Sequence, residues 1–143
     1  MSFIPAMVDR LLQPGTPFLA VQGAIDFASI KSHNLGSPSA YLFAKDEASG
    51  DNERMTGPVL QRLESDVAVV IVVQNVTDAV MGAAADELEP LKTYVRSKLI
   101  GFVPDGLDEP IVHVSGQLIT AANSTVYFED VYGVTSYLQE QSP

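Results

Sequence analysis

Acidic residues and histidines are the side chains of this chain that could define a reactive site. Three pairs of acids lie close together in sequence: Asp46 with Glu47, Asp51 with Glu53, and Glu129 with Asp130. Carboxylates can bind divalent cations, but adjacent acids on a strand point to opposite faces, and the first two pairs fall in a polar stretch that we interpret as a flexible loop. His33 and His113 show neither H-x-x-H nor H-E-x-x-H spacing. A metal site is therefore not favoured, and an enzyme that uses the acid pairs with a metal remains an alternative.

Other patterns typical of catalysis are missing from the sequence. The chain has no cysteine, which excludes a disulfide framework, a thiolate metal site and a cysteine nucleophile. It contains no Gly-x-Gly-x-x-Gly, P-loop or Gly-x-Ser-x-Gly pattern. We therefore expect no catalytic residue, no cofactor and no metal, and a protein that is not an enzyme.

Length and composition predict one globular domain over residues 1–143. Hydrophobic residues make up 46% of the chain and charged residues 18%. The first residues lack the basic region of a signal peptide, and no apolar segment approaches the roughly 20 residues needed to span a bilayer. We expect a soluble protein that is made in the cytoplasm and does not enter a membrane.

The charge of the chain is strongly negative and unevenly distributed. The net charge is -10, from 18 acids and 8 bases, which argues against wrapping nucleic acid. Every base lies at or before Lys98. Six acids follow without a base among them: Asp105, Asp108, Glu109, Glu129, Asp130 and Glu140. This excess favours either a surface that keeps the protein soluble or an acidic surface with a specific role.

An apolar run at residues 66–73 is the element around which we expect the chain to fold. Asp66 is followed by Val-Ala-Val-Val-Ile-Val-Val, in which β-branched residues dominate. A strand with one solvated face would alternate apolar and polar residues, so this run predicts a strand that is covered on both faces.

An amphipathic helix is predicted after this strand. It starts at residues 86–91, where Asp86 can cap the first turn and Pro90 is tolerated only near such a start. Four apolar residues repeat along one helical face: Leu88, Leu91, Val95 and Leu99. Gly101, followed by Pro104, ends the helix.

The other segments complete an α+β fold. Before the central strand we predict a helix at 4–12, a strand at 18–27 with a bulge at Gly23, a turn-rich segment at 29–39, a strand at 40–45, a polar loop at 46–54 and a strand at 55–64. After the helix we predict a loop at 102–110, a strand at 111–119 with a bulge at Gly116, a turn at 121–124, a strand at 125–138 and a frayed tail at 139–143. The order α-β-β-β-α-β-β predicts a mostly antiparallel sheet, with an N-terminal helix and one central helix packed on it.

Aromatic residues are concentrated in the last strand. The alternation of a strand places Phe128 and Tyr132 on one face and Tyr127 and Tyr137 on the other. One face is then core, while the other is either an ordinary rim or a subunit interface, where tyrosine is enriched.

The C-terminal half resembles the tail terminator (tail completion) proteins of long-tailed bacteriophages, including a Mu-like group. The acid-rich helix start, the passage Leu99-Ile100-Gly101-Phe102-Val103-Pro104, the strand containing Gly116-Gln117-Leu118 and the final strand with Phe128-Glu129-Asp130-Val131-Tyr132 carry this resemblance. It covers about residues 60–138, and many relatives have Trp where this chain has Phe102.

The resemblance implies a structural subunit of the virion tail. Such a protein forms a hexameric ring at the head-proximal end of the tail tube, stops tube polymerisation and provides the docking surface for head-completion proteins. DNA passes through the channel without specific binding, and no catalysis, cofactor or metal is implied. Alternatives are another phage tail or neck subunit, such as a tube or head-completion protein, and a small ligand-binding α+β domain.

Two sets of residues are candidates for these contacts. The first is a set of interface candidates: Asp46, Glu47, Asp51, Glu53, Arg54, Tyr127, Tyr132 and Tyr137. The second is a set of acids that would repel DNA from a channel wall: Asp105, Asp108, Glu109, Glu129 and Asp130.

Overall fold

Five strands and three helices make up the part of the chain that the computed structural model describes, residues 3–32, 36–74, 82–122 and 125–140. The elements in chain order are α1 (Ile4–Leu11), β1 (Ala20–Gly23), α2 (Phe27–Ser32), β2 (Ser39–Asn52), β3 (Leu60–Gln74), α3 (Gly82–Leu99), β4 (Val112–Ala122) and β5 (Thr125–Gln139). The predicted α+β class and element order are confirmed, and α2 is a short addition between the first two strands.

All five strands belong to one sheet with the order β1-β2-β3-β5-β4. The short strand β1 pairs with β2 in parallel, and the other three pairings are antiparallel. Strand β3 lies in the middle and pairs with β5 along its whole length, from Leu60 opposite Gln139 to Gln74 opposite Thr125. The sheet is therefore mostly antiparallel, as predicted.

Strand β3 is covered on both faces, as its apolar run predicts. Every side chain from Val67 to Val73 is fully buried. Val69 and Ile71 belong to a core shared with α1 and α3, while Val70 belongs to a second core with Ile30 of α2. We call these two sides of the sheet the α3 face and the α2 face.

Helix α3 presents the predicted apolar face to the sheet, but it begins earlier than predicted. Leu88, Leu91, Val95 and Leu99 are all buried in the core of the α3 face. The helix starts at Gly82, so the prediction that Asp86 caps it is wrong, and Pro90 lies inside the helix. Residues 83–85 are all alanine, the residue with the highest helix propensity, which accounts for the earlier start. The helix ends as predicted, with Gly101 in the left-handed region at φ 86°.

The predicted polar loop at residues 46–54 is wrong, because β2 continues through it to Asn52. This arm pairs with β3 from Asp46 opposite Asp66 to Asn52 opposite Gln61, and the predicted strand at 55–64 is the first part of β3. Residues 45–52 are exposed on both faces of the sheet, so their sequence lacks the apolar alternation that would have identified a strand. We call residues 45–66 the hairpin arm.

Several boundaries also differ from the predictions near the ends of the chain. Strand β1 is limited to four residues, and Gly23 pairs with Leu42 in an uninterrupted register rather than forming a bulge. Part of the turn-rich segment at 29–39 forms α2, and His33 lies outside the described residues. Gln139 is paired rather than frayed, and the amide of Glu140 donates to the carbonyl of Val59. Residues 141–143 lie outside the described part of the chain.

Strand β4 is irregular, but not at the glycine that was predicted to form a bulge. The register shifts between His113 and Ser115 and again between Leu118 and Thr120, while Gly116 pairs normally with Asp130. The strand runs to Ala122, so the first half of the predicted turn at 121–124 belongs to β4, and the second half, residues 123–124, lies outside the described part of the chain.

Truncation of Leu91 tests the packing of α3 on the sheet. Leu91 is buried in the core with Val69 and Ile71, so Leu91→Ala should lower the free energy of unfolding by about 2–5 kcal/mol. Glu87 is exposed on the same helix, and Glu87→Ala should change it by less than about 0.5 kcal/mol. Urea titrations of both variants measure the difference. Equal stabilities for the two variants would contradict the observed helix face.

Candidate functional site

A buried carboxylate, Asp130, lies where α3, β4 and β5 meet on the α3 face. Its side chain has no exposed surface. The guanidinium of Arg96 donates two hydrogen bonds to it, from Nε to Oδ2 and from Nη2 to Oδ1, both at 3.0 Å. This bidentate geometry is the strongest that an arginine and a carboxylate can form.

Two further side chains complete the environment of this carboxylate. His113 Nε2 lies 2.8 Å from Asp130 Oδ1, and the hydroxyl of Tyr132 donates to Oδ2 at 2.7 Å. Burial favours the neutral acid, but the hydrogen bonds from Arg96, His113 and Tyr132 outweigh it and hold the pKa of Asp130 below its ordinary value. Burial, together with the charge of Asp130, raises the pKa of Tyr132, which keeps its hydroxyl protonated as a donor. We call Arg96, His113, Asp130 and Tyr132 the Asp130 network.

Gly116 is part of this arrangement because any side chain at its position would collide with the network. A Cβ at Gly116 would lie 2.7 Å from Asp130 Oδ1 and 3.1 Å from Arg96 Nη2. The nearest atom of Phe128 would also be at 3.1 Å. Glycine is therefore required by close approach of the ion pair, and not by a bulge.

The Asp130 network is suited to fixing structure rather than to a reaction. A carboxylate can accept about four hydrogen bonds, and Asp130 accepts four. Its oxygens are therefore occupied by side chains of the same subunit. The network fixes the edge strand β4, through His113, to β5 and to the helix above them.

Glu129, the neighbour of Asp130, points to the opposite face of the sheet, as expected for adjacent residues in a strand. Its carboxylate pairs with Lys45 Nζ at 2.9 Å and is almost fully buried. This hydrogen bond and the charge of Glu129 raise the pKa of Lys45. Glu129 and Asp130 therefore lie inside the subunit, and the prediction that these two acids line a channel is wrong, because each is buried with a cationic partner.

The other predicted channel acids are more accessible. Asp105 and Asp108 are exposed in the segment between α3 and β4. Glu109 is partly buried, where it accepts hydrogen bonds from Arg62 Nη1 at 2.8 Å and from the hydroxyl of Tyr137 at 2.9 Å. A role in a channel stays a prediction for these three residues.

The predicted interface residues fall into two groups, the charged residues of the hairpin arm and the tyrosines of β5. Four acids are exposed along β2 and at its end: Asp46, Glu47, Asp51 and Glu53. Arg54 follows them in the turn of the hairpin arm, where its Nη1 donates to the carbonyl of Pro58 at 3.2 Å. The structure thus brings the acids together on one strand, and their role in an interface stays a prediction.

The aromatic residues of β5 are mostly core residues. Phe128 and Tyr132 lie in the core of the α3 face and Tyr127 in that of the α2 face, as the alternation predicts. Tyr132 has no exposed surface and Tyr127 packs edge-on against Phe27, with ring centroids 5.3 Å apart. Burial of these two tyrosines leaves Tyr137, which is 39% exposed, as the aromatic candidate with surface available for a contact, and its role in an interface stays a prediction.

Three cations of these ion pairs were missed by reasoning from sequence. Arg96, Arg62 and Lys45 are separated from their acidic partners by 34, 47 and 84 residues, so no local motif marks them. One signal was available for Arg96. Asp130 lies between Phe128 and Tyr132 on the predicted core face of a strand, and a buried acid at such a position requires a cation or several donors.

A groove on the described surface bears on a small-molecule role. This groove of about 370 Å³ lies between the ends of β3 and β5 and the segment before β4, lined by Leu63, Leu107 and Leu138 together with Glu47 and Asp108.

Within residues 3–32, 36–74, 82–122 and 125–140, no group of three His, Cys, Asp or Glu side chains could hold a metal ion. No helix in the same residues is long and apolar enough to span a membrane.

A comparison with protein families decides between the possible classes. The family model for the phage tail terminator protein matches residues 3–142. The chain belongs to this family. Among curated proteins, none matches the chain significantly.

Membership of the phage tail terminator family gives the protein a structural role in the tail of a bacteriophage. Tail terminators are structural proteins that assemble with other tail and head proteins, and the terminator is a component of the virion tail. The match extends beyond the C-terminal half, which carried the resemblance in sequence, to α1 and the first strands. Assignment to the Mu-like group stays a prediction.

Removal of the charge of Asp130 should destabilise the terminator in a pH-dependent manner. Asp130→Asn removes the negative partner of Arg96 and should lower the free energy of unfolding at pH 7 by about 3 kcal/mol, the lower end for buried pairs because Arg96 is partly exposed. The folded pKa of Asp130 lies below its unfolded value, so its contribution is complete above about pH 4 and is lost as the pH falls through the folded pKa.

Urea titrations from pH 7 to about pH 2 would measure this dependence. The difference between the unmodified protein and Asp130→Asn should shrink on acidification. Asp105→Asn, at an exposed acid, is the matched control and should have little effect at any pH. A difference that stays constant over the whole range would contradict the ionised state of Asp130.

Substitution of Gly116 tests the close approach of the ion pair. Gly116→Ala places a methyl group 2.7 Å from Asp130 Oδ1 and should lower the free energy of unfolding by about 1–3 kcal/mol, as overpacking does. Gly50 is the matched control in β2, where a Cβ would have its nearest neighbour at 3.7 Å. Thermal unfolding of both variants should show a loss only for Gly116→Ala. Two equally stable variants would show that β4 moves away at no cost.

Proposed function

We propose that this protein closes the head-proximal end of the tail tube as a ring of six subunits. In this position it stops tube polymerisation and presents the surface to which head-completion proteins bind. The observation that carries this proposal is the family match over residues 3–142, which includes nearly the whole chain.

The surface of the subunit supports a role in which two different partners are bound. A terminator must match the tube on one side and must present a side that a further tube subunit cannot bind. The two edges of the described sheet differ in charge. The outer strand of the hairpin arm carries exposed acids, whereas the opposite edge strand β4 contains no Asp, Glu, Lys or Arg.

A closed ring requires contacts between two different surfaces of the same subunit. Contacts of this heterologous kind give a ring when the rotation between neighbours closes. The subunits can be monomeric in solution if each contact is weak, because a tube end that binds several subunits raises their effective concentration. Ring formation would then be confined to finished tubes.

The negative charge of the subunit is compatible with the passage of DNA through such a ring. A channel wall that carries acids repels phosphates and does not retain the genome. Asp105, Asp108 and Glu109 are the candidates for this wall, since Glu129 and Asp130 are buried.

Deletion of the gene for this protein tests the proposed function. The mutant phage should make filled heads and separate tails that fail to join, with some tails of abnormal length because tube growth is not stopped. Electron microscopy of the lysate shows both defects. Addition of the purified protein to freshly assembled mutant tails should restore joining, and addition of Leu91→Ala, with its weakened core, should restore it less at the same concentration.

Two other outcomes would assign a different role. Complete virions that are blocked only at adsorption or lysis would contradict the proposal. Absence of tubes altogether would point to a tube subunit, the alternative phage structural role.

A further inference from the structure

Strand β4 is a long sheet edge whose composition does not protect it from pairing. It occupies the end of the sheet order, and within the described residues it pairs with β5 alone. Edge strands of monomeric proteins are usually short or carry charges and proline, which prevent them from pairing with another chain. The 11 residues of β4 include no proline and no Asp, Glu, Lys or Arg.

Apolar side chains on this edge are also exposed. Leu118 is 56% exposed, Val112 is 54% exposed and Val114 is 52% exposed. The two register shifts of β4 lie on either side of Ser115–Leu118, so these four residues form its longest regular stretch between the shifts. A partner strand could continue the sheet along this stretch.

The opposite edge of the sheet has a different character. Strand β1 covers β2 only along Ser39–Leu42, so the hairpin arm has an outer edge without a neighbouring strand in the described structure. Its regular stretch between two register shifts is Asp46–Ser49, which is also four residues long. Asp46 and Glu47 are exposed there, and their like charges oppose pairing of this edge with a second copy of itself.

Strand direction allows these two edges to join. Each of the three pairings from β2 through β3 and β5 to β4 is antiparallel, so β2 and β4 run in opposite directions within one subunit. When subunits stand side by side in the same orientation, β4 of one therefore runs antiparallel to β2 of the next. A shift of one subunit along the strands brings Ser115–Leu118 past the part of β2 that β1 covers and next to the outer edge of the hairpin arm. The contact joins two different surfaces, as a ring requires.

Charge also favours this pairing over the pairing of two copies of β4. Two cations of α3 lie beside the regular stretch of β4: Arg96 Nη2 approaches Gly116, and Lys92 Nζ lies 4.5 Å from the ring of Phe128, which pairs with Leu118. Glu47 lies on the α3 face, where it lines a groove with Leu63 and Leu107, so the incoming edge would bring Glu47 to the side of the sheet that carries these cations. Two copies of β4 would instead bring the cations of one subunit towards those of the other.

We propose that neighbouring subunits of the ring join by sheet extension, with Gly116–Leu118 of one subunit paired with Glu47–Ser49 of the next, the antiparallel register in which opposed side chains lie on the same face of the sheet. The inference rests on the proposed function for the existence of a ring and adds the surfaces that form it. The Asp130 network holds β4 in place before association, so this edge needs little ordering when the ring forms.

Crosslinking of introduced cysteines tests the pairing, because the chain contains no cysteine of its own. Ala48 and Gln117 are exposed on the two edges, and within one subunit the edges β2 and β4 are three strand spacings of about 4.8 Å apart. The double variant Ala48→Cys with Gln117→Cys, bound to mutant tails and treated with a short bismaleimide, should give a ladder of crosslinked species on a denaturing gel. A mixture of the two single variants should give dimers only, and each single variant alone should stay monomeric.

The alternative results are distinct. Dimers from Gln117→Cys alone would show pairing between two β4 strands and would overturn the proposal. If electron microscopy shows rings on tail ends but the double variant gives no crosslinks, the proposed pairing is also overturned. The capping function would stand in that case. Unmodified protein that neither forms rings nor restores joining would refute the proposed function, and this inference with it.

A charge placed on the β4 edge gives an independent readout. Leu118→Asp should reduce the joining of heads to mutant tails by about tenfold or more, since it places an acid opposite the acidic edge of the next subunit. Leu12→Asp introduces the same charge at a residue of similar exposure, 43%, away from both edges, and should join as the unmodified protein does. Circular dichroism confirms that both variants fold. Equal loss in the two variants, or none in either, would contradict the role of this edge.

Discussion

The fold depends on the need to cover strand β3 on both faces. Seven consecutive side chains, from Val67 to Val73, lose all contact with water, and opening either face would expose apolar side chains whose burial stabilises the fold. Two helices cover one face, and the six-residue α2 covers only part of the other. The sheet extends beyond its helices in the hairpin arm, where residues 45–52 of β2 are exposed and mostly polar. The sheet is therefore buried where β3 carries its apolar run and projects as the hairpin arm where that run ends.

The Asp130 network attaches the edge strand β4 to the rest of the subunit. Strand β4 has a neighbour on one side only, and its side chains at Val112, Val114 and Leu118 contribute little to either core because they are exposed. A buried ion pair is a weak source of net stability, but it imposes a specific geometry when all its hydrogen bonds are satisfied. Through His113 and the close approach at Gly116, the network holds β4 in one position relative to α3.

The sequence predicted those parts of the fold that are specified by local apolar patterns. The central strand and the buried face of α3 were identified because β-branched runs and helical periodicity are local signals. The hairpin arm was missed because a strand exposed on both faces has no such signal, and the helix start was misplaced because Asp86 resembles a cap although the alanines before it continue the helix. The Asp130 network could not be predicted, since Arg96 and Asp130 are brought together only by the packing of α3 on β5. Its acid could have been recognised from its position between two core aromatics.

Under the proposed pairing, the same features would allow a folded subunit to assemble at the end of the tail tube. A sheet edge that is fixed before association loses little conformational entropy on pairing, so the proposed contact of three residues can be specific although it is small. A small contact is also weak, and a single pair of subunits gains little from it. On a tube end, by contrast, the proposed ring would hold neighbours side by side, and each new subunit would complete contacts on both of its edges when the ring closes. The unprotected edge of β4 would then be buried by the acidic edge of the next subunit, whose like charges oppose its pairing with a second copy of itself.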